Sequence, residues 1–102
     1  MQENRKTQKK RTKYEIIYNM LSVASEGAKK TWLMYKSNLS YEEYKKYLNL
    51  LLEKDLMYQD NKTRLFFLTE KGLILYNELQ QYISVQDRLN EHLIKIKDLL
   101  GE

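Results

Sequence analysis

The chain has 102 residues and a formal net charge of +4, with no cysteine, no proline, one histidine and nine tyrosines. Disulfides and thiolate metal sites are thereby excluded, and no apolar run approaches the ~18 residues of a membrane span. One small domain with a modest core is expected, intracellular, cytoplasmic and marginal in stability unless it associates with a second copy.

Residues 1–11 read as a basic arm. Arg5, Lys6, Lys9, Lys10 and Arg11, with Lys13 just beyond, stand against Glu3 alone, so the first 13 residues hold more net positive charge than the whole chain. The arm has no apolar residue after Met1. It is therefore expected to be disordered on its own and not to act as a secretory signal, which needs an apolar stretch. Such blocks act either as solubilising tails or as nucleic-acid-binding tails.

Thr12 with Glu15 fits a capping box and opens a first helix over about 13–26, with Ile17, Met20, Leu21 and Ala24 on one face. Gly27 is suited to stop it. A second helix over 30–37 ends at Asn38, a residue that tolerates left-handed backbone. Ser40 with Glu43 is a second capping box and starts a third helix over 41–54. Its wheel places Tyr44, Tyr47, Leu48, Leu51 and Leu52 on one side, and Glu42, Lys45, Lys46, Asn49 and Glu53 on the other. Segments 56–59 and 64–68 read as strands of a hairpin with a turn at Asp60–Thr63.

Thr69 caps a last helix expected to run from Glu70 to Leu100. At ~1.5 Å per residue it would be roughly 45 Å long, more than so small a head can cover. Leu75, Leu79, Tyr82, Gln86, Leu89, Leu93, Ile96 and Leu100 alternate at spacings of four and three, the seam of a coiled coil with one polar member. The competing reading is an amphipathic helix folded back on its own domain. Trp32 and most of the tyrosines are expected in the core or the seam by their spacing.

The fold class is thus mainly α with a small β-hairpin (α+β): a winged helix-turn-helix at 12–74, preceded by the arm and followed by a coiled-coil dimerisation helix at 75–102. Catalysis finds little support. His92 has no second imidazole or cysteine to work with, and Glu42 and Glu43 diverge on a helix. No phosphate-binding loop is present, and no cofactor, metal or small-molecule ligand is implied. The chain does not read as an enzyme.

The third helix is the natural recognition helix. Lys45 and Lys46 can contact guanine or phosphate and Asn49 can read adenine, with Ser40 and Tyr41 at the N-terminal end of the helix. Glu42 lies on the same face and repels phosphate unless it accepts a hydrogen bond from cytosine. Lys29, Lys30 and Thr31 start the second helix, where a phosphate can be held. Lys62 and Arg64 stand at the wing tip. With the arm, these groups are the expected contacts to double-stranded DNA.

On these residues the chain resembles the crenarchaeal 10a family of winged-helix, chromatin-type DNA-binding proteins. The resemblance rests on the Lys-rich start leading into Lys13–Ile17, on Thr31–Tyr35 and Asn38–Tyr41, on Leu68–Gly72 and on the long last helix. It implies a homodimer joined by an antiparallel coiled coil, a winged-helix head at each end, and binding to duplex DNA with little sequence preference. An architectural, nucleoid-associated or transcription-regulating role follows from that resemblance. A sequence-specific repressor on the same fold and a protein-interaction module without DNA binding are the alternatives.

Overall fold

The computed structural model describes residues 11–102. Arg5, Lys6, Lys9 and Lys10 of the arm lie outside the described residues. Helices α1 (Lys13–Ala24), α2 (Lys30–Lys36) and α3 (Tyr41–Glu53) precede a hairpin of β1 (Met57–Gln59) and β2 (Phe66–Leu68), and α4 (Glu70–Leu100) follows. Four helices with one antiparallel hairpin make the winged helix-turn-helix that the sequence predicts.

The helix starts follow the capping chemistry. The Thr12 N–H donates to Glu15 Oε1 at 2.9 Å and the Glu15 N–H to Thr12 Oγ1 at 3.1 Å. Ser40 and Glu43 make the same exchange at the head of α3. Each pair satisfies backbone donors that the first helical turn leaves open.

The helix ends share a different device. At the end of α2 the Leu39 N–H donates to Met34 O and the Asn38 N–H to Tyr35 O. At the end of α3 Leu56 donates to Leu51 and Asp55 to Leu52 in the same pattern, and at the end of α4 Glu102 donates to Lys97 and Gly101 to Asp98. These are three Schellman motifs. Their left-handed residues are Asn38 at φ 56°, Asp55 at φ 60° and Gly101 at φ 77°. Only the last is glycine, the usual occupant of that conformation. α2 and α3 stop one residue before their predicted ends and α1 stops two before its own, whereas α4 ends at Leu100 as predicted. After α1 the Ser25–Glu26 turn leads to Gly27 at φ 92°, where a Cβ would come within 2.7 Å of the Phe67 ring.

The strands are shorter than predicted. Leu56 belongs to the cap of α3, and Arg64 at φ 65° breaks the extended run, leaving a register of Met57–Leu68, Tyr58–Phe67 and Gln59–Phe66. A third strand is reduced to one bridge, in which Ala28 and Phe66 exchange both backbone hydrogen bonds at 3.0 and 2.8 Å. The sequence shows no sign of that bridge, because a single residue carries no alternation.

The core is formed by Ile16, Ile17, Met20, Leu21 and Ala24 of α1, Leu33, Leu39, the Tyr44–Leu51 face of α3, Leu56, Met57 and Phe66. Two predicted placements fail. Leu52 is 38% exposed, because α3 turns Leu51 rather than Leu52 to the centre. The aromatics expected in the core are mostly outside: Trp32, Tyr14, Tyr35 and Tyr58 are exposed, while Tyr44 and Tyr47 are buried; Tyr41, expected at the surface, and Tyr82, expected on the seam, are exposed too. Periodicity assigns a tyrosine to the core because its ring is apolar, but its hydroxyl is equally at home in water.

The junction between the hairpin and α4 is tight. The Thr69 N–H donates to Leu56 O at 3.1 Å and Thr69 Oγ1 to Asp55 O at 2.7 Å. Thr69 Oγ1 also accepts the Gly72 N–H at 2.9 Å, and Lys71 Nζ reaches Lys54 O at 3.0 Å. A Cβ on Gly72 would overlap the Leu56 carbonyl. Alanine gains about 1 kcal/mol over glycine inside a helix. Gly72→Ala is nevertheless expected to destabilise the fold by about 1–3 kcal/mol, because backbone must move to admit the methyl group. A lowered urea midpoint is the check; an unchanged midpoint would show that the carbonyl retreats freely.

Candidate nucleic-acid interface

The predicted recognition face is where the helical phase puts it. Burial of Tyr44, Tyr47, Leu48 and Leu51 turns Glu42, Lys45, Lys46 and Asn49 to solvent, and Ser40 and Tyr41 are exposed at the helix start. Lys45 Nζ lies 5.4 Å above the Tyr41 ring and Lys46 Nζ 5.3 Å from the Tyr47 ring. Glu43, one of the two acidic residues at the helix start, is turned back to cap the Ser40 N–H at 3.3 Å. Burial pushes the Tyr44 hydroxyl pKa up, and Tyr41 beside it adds to that.

The base of the arm meets this face. Lys13 shares one hollow with Lys46, Tyr47, Asn49, Leu50 and Glu53. Arg11 donates from Nη2 to Asn38 O at 2.8 Å, on the turn between α2 and α3. Sequence reasoning took Arg11 only as a phosphate contact. In the fold it also ties the arm to the helix-turn-helix, a role that no spacing in the sequence signals. At the start of α2, Lys29, Lys30 and Thr31 are exposed, and Lys29 offers no side-chain cap to the helix.

The wing tip is built by one carboxylate. Asp60 Oδ2 accepts from the Thr63 N–H at 2.7 Å, Thr63 Oγ1 at 2.9 Å and the Lys62 N–H at 3.1 Å. Backbone closes the loop, with the Asp60 N–H on Leu65 O and the Arg64 N–H on Asp60 O, both at 2.8 Å. Lys62 and Arg64 project to solvent from this loop. The left-handed Arg64 is held there because its carbonyl accepts from Gln59 Nε2 at 2.9 Å.

The predicted seam divides in two. Leu79 is 7% exposed and Leu75 half-buried, both packed on the head's core. α1 and α4 lie side by side, with Tyr18 stacked on Tyr76 at 5.3 Å and Tyr14 edge-on to Tyr82 at 5.8 Å. From Tyr82 onward the stripe is open: Tyr82, Leu89, Leu93, Ile96 and Leu100 are exposed and Gln86 is half-buried. Val85 and Leu99 beside it are also exposed.

Among the described residues no cluster of metal-ligating side chains is present, and no helix is long and apolar enough to cross a membrane.

This geometry agrees with the comparisons with known proteins. The family model described as winged helix-turn-helix matches residues 10–87, and the chain belongs to that family. It shares the fold of Sso10a-2, a DNA-binding protein from Sulfolobus solfataricus, with a TM-score of 0.78 at 24% identity over 88% of this chain and 97% of that one. That likeness bears out the resemblance to the 10a proteins at the level of fold. The transcriptional repressor CouR, solved with p-coumaroyl-CoA, is more distant, with a TM-score of 0.60 at 17% identity over 91% of this chain and 64% of that one. An uncharacterised protein of Methanocaldococcus jannaschii, MJ0287, is 35% identical over 51 residues, 49% of this chain. The match covers about half the length of that relative, 53%.

The wing turn gives a pH test. The Thr63 backbone N–H, then its hydroxyl, then the Lys62 N–H hold the Asp60 carboxyl below the usual carboxylate range. A depressed pKa means that the turn's stabilisation is complete above the ordinary value and is lost as pH falls through the lowered one. Protection of the Lys62 and Thr63 amides from hydrogen exchange, relative to the intrinsic rate at each pH, is expected to fall only in that acidic window. Asp60→Ala should show low protection at every pH. An Asp60 that titrates at or above the ordinary value would contradict the geometry.

Proposed function

We propose that this protein is a homodimeric, architectural binder of double-stranded DNA in the cell's nucleoid. The observation that carries the reading is that Arg11 is tied to the turn before α3 and Lys13 shares a hollow with the α3 residues Lys46 and Asn49, which sets the root of a cationic arm beside the recognition helix. Lys45, Lys46, Asn49 and Tyr41 would enter or border the major groove. Lys29, Lys30, Thr31, Lys62 and Arg64 would hold phosphates to either side, with Arg5, Lys6, Lys9 and Lys10 following the backbone. Most of these contacts are to phosphate, which positions a protein without reading sequence. The match to a Sulfolobus DNA-binding protein along nearly its whole length supports this reading. A sequence-specific repressor on the same fold would use Lys45, Lys46 and Asn49 for base readout, which selective binding to one duplex over random ones would reveal.

The dimer would use the open part of the stripe. Five large apolar residues, Tyr82, Leu89, Leu93, Ile96 and Leu100, face water in one copy, and burial of each is worth roughly 1.5–3 kcal/mol. Antiparallel pairing centred near position 91 would oppose Tyr82 to Leu100, Gln86 to Ile96 and Leu89 to Leu93. It would also bring the flanking Val85 of one copy to Leu99 of the other. Parallel pairing would leave Val85 against Asn90 instead. The arrangement would leave one head at each end of the pair.

Two experiments test the reading. Lys45→Glu with Lys46→Glu is expected to abolish duplex binding without unfolding, because both side chains are exposed and the reversal sets anions against phosphate. Deleting residues 1–10 should weaken all duplexes alike, lowering the log–log salt slope by about 0.9 per lost contact. Near-normal affinity in the folded double variant would remove α3 from the interface.

For the dimer, Leu89→Asp with Leu93→Asp should halve the sedimented mass. The chain has no native cysteine, so Leu89→Cys mixed with Leu93→Cys should form a disulfide between unlike copies if pairing is antiparallel. Disulfides only between like copies would establish the parallel arrangement. A monomeric wild type at micromolar concentration would overturn the two-headed mechanism.

A further inference from the structure

Trp32, Tyr35 and Lys36 on the outward side of α2 have no role in the duplex reading. Leu33 and Ser37 point into the core, so the opposite side of the helix presents Trp32 at 49% exposure and Tyr35 at 81%. Across the turn Tyr41 is 61% exposed. A small domain gains nothing in stability from a tryptophan and two tyrosines held in water. The rings are also set in positive charge. Lys36 Nζ sits 4.3 Å over the Trp32 ring and Lys45 Nζ 5.4 Å over Tyr41. Between Glu26 and Glu42 the chain carries Lys29, Lys30 and Lys36 and no carboxylate. An apolar protein partner has no need of that bias, whereas a polyanion with aromatic parts matches both features.

We propose that Trp32, Tyr35 and Lys36, with Tyr41 at the edge, form a base-stacking site for single-stranded nucleic acid. A duplex hides the faces of its bases in its own stack and offers only edges and phosphates. A single strand presents unstacked bases, each with a π-face that can lie on an aromatic side chain, while lysines track the backbone. Trp32 and Tyr35 are three residues apart on one helix and therefore neighbours on its surface, so successive bases can each meet a ring. Lys36 lies over the indole, and the ring's exposed half is what a base would meet. The site takes pyrimidine strands as readily as others, because stacking is tolerant of base identity.

Trp32 is the chain's only tryptophan, so its fluorescence reports on this face alone. Titrating the full chain at low salt with an oligodeoxythymidylate of about 12 nucleotides is expected to quench Trp32 saturably. Tyr35→Ala, at an exposed position that the fold does not use, should weaken oligonucleotide affinity by roughly 5- to 100-fold, measured by anisotropy of a labelled strand. Lys46→Glu with Asn49→Ala, which touches only residues of the duplex reading, should retain most single-strand binding whether or not it loses the duplex, so the two sites fail independently. Binding that leaves Trp32 emission unchanged, or that Tyr35→Ala does not weaken, would reduce the contact to charge alone and overturn the proposal. No binding at low salt would overturn it as well. A fall in sedimented mass of Tyr35→Ala with unchanged oligonucleotide affinity would assign the face to contact between copies and would equally defeat it.

Discussion

The fold depends on one backbone group, the carbonyl of Leu56. It accepts the Thr69 N–H and lies against the unsubstituted Cα of Gly72, so the end of α3, the close of the hairpin and the first turn of α4 meet at a single oxygen. Thr69 serves both sides at once, donating to Asp55 O and accepting from Gly72. With that junction closed, the hairpin can only be short, and α4 leaves the head in one direction. The packing of Tyr18 on Tyr76 and of Leu79 on the core follows from where α4 begins.

The surface divides by chemistry as well as by position. Some carboxylates are occupied, Glu15 and Glu43 in helix caps and Asp60 in the wing, while Glu42 and Glu53 stay exposed on the recognition helix. The lysines are left outward, several resting on tyrosine or tryptophan rings. An exposed ring holds an ammonium in place without neutralising it. The lysines of this face are thus ordered locally by rings.

Much of the architecture was legible in the residues because it rests on local rules. Thr12/Glu15 and Ser40/Glu43 are reciprocal pairs at fixed spacing, and the 31 residues of α4 run from a capping threonine to a glycine as read. Helical phase placed Lys45, Lys46 and Asn49 outward. What escaped depends on partners distant in the chain. Ala28 pairs with Phe66, and Arg11 with Asn38, over separations that no pattern encodes. Asp55 and Arg64 take left-handed backbone without glycine's signature, because the hydrogen bonds around them outweigh the steric cost. The heptad seam carried no mark of where intramolecular packing ends, since Leu75 and Leu79 look like Leu89 and Leu93 until α1 is laid beside them. The exposed aromatics were misplaced for the converse reason, that apolar character alone does not say whether a ring has neighbours.

The uninterrupted course of α4 has a mechanical consequence. Between Gly72 and Gly101 there is no glycine and no proline, and the same helix is part of the head's core at Leu79 and an open stripe at Leu89. The head therefore has no hinge. It is bolted to a stiff axle, and its azimuth is set by the helix itself, in which each residue turns the chain by about 100°. Lengthening the axle by one residue would swing the head around its axis far more than it would displace it. Evolution can retune the reach of such a molecule only in steps near seven residues, which restore the orientation as well as the stripe.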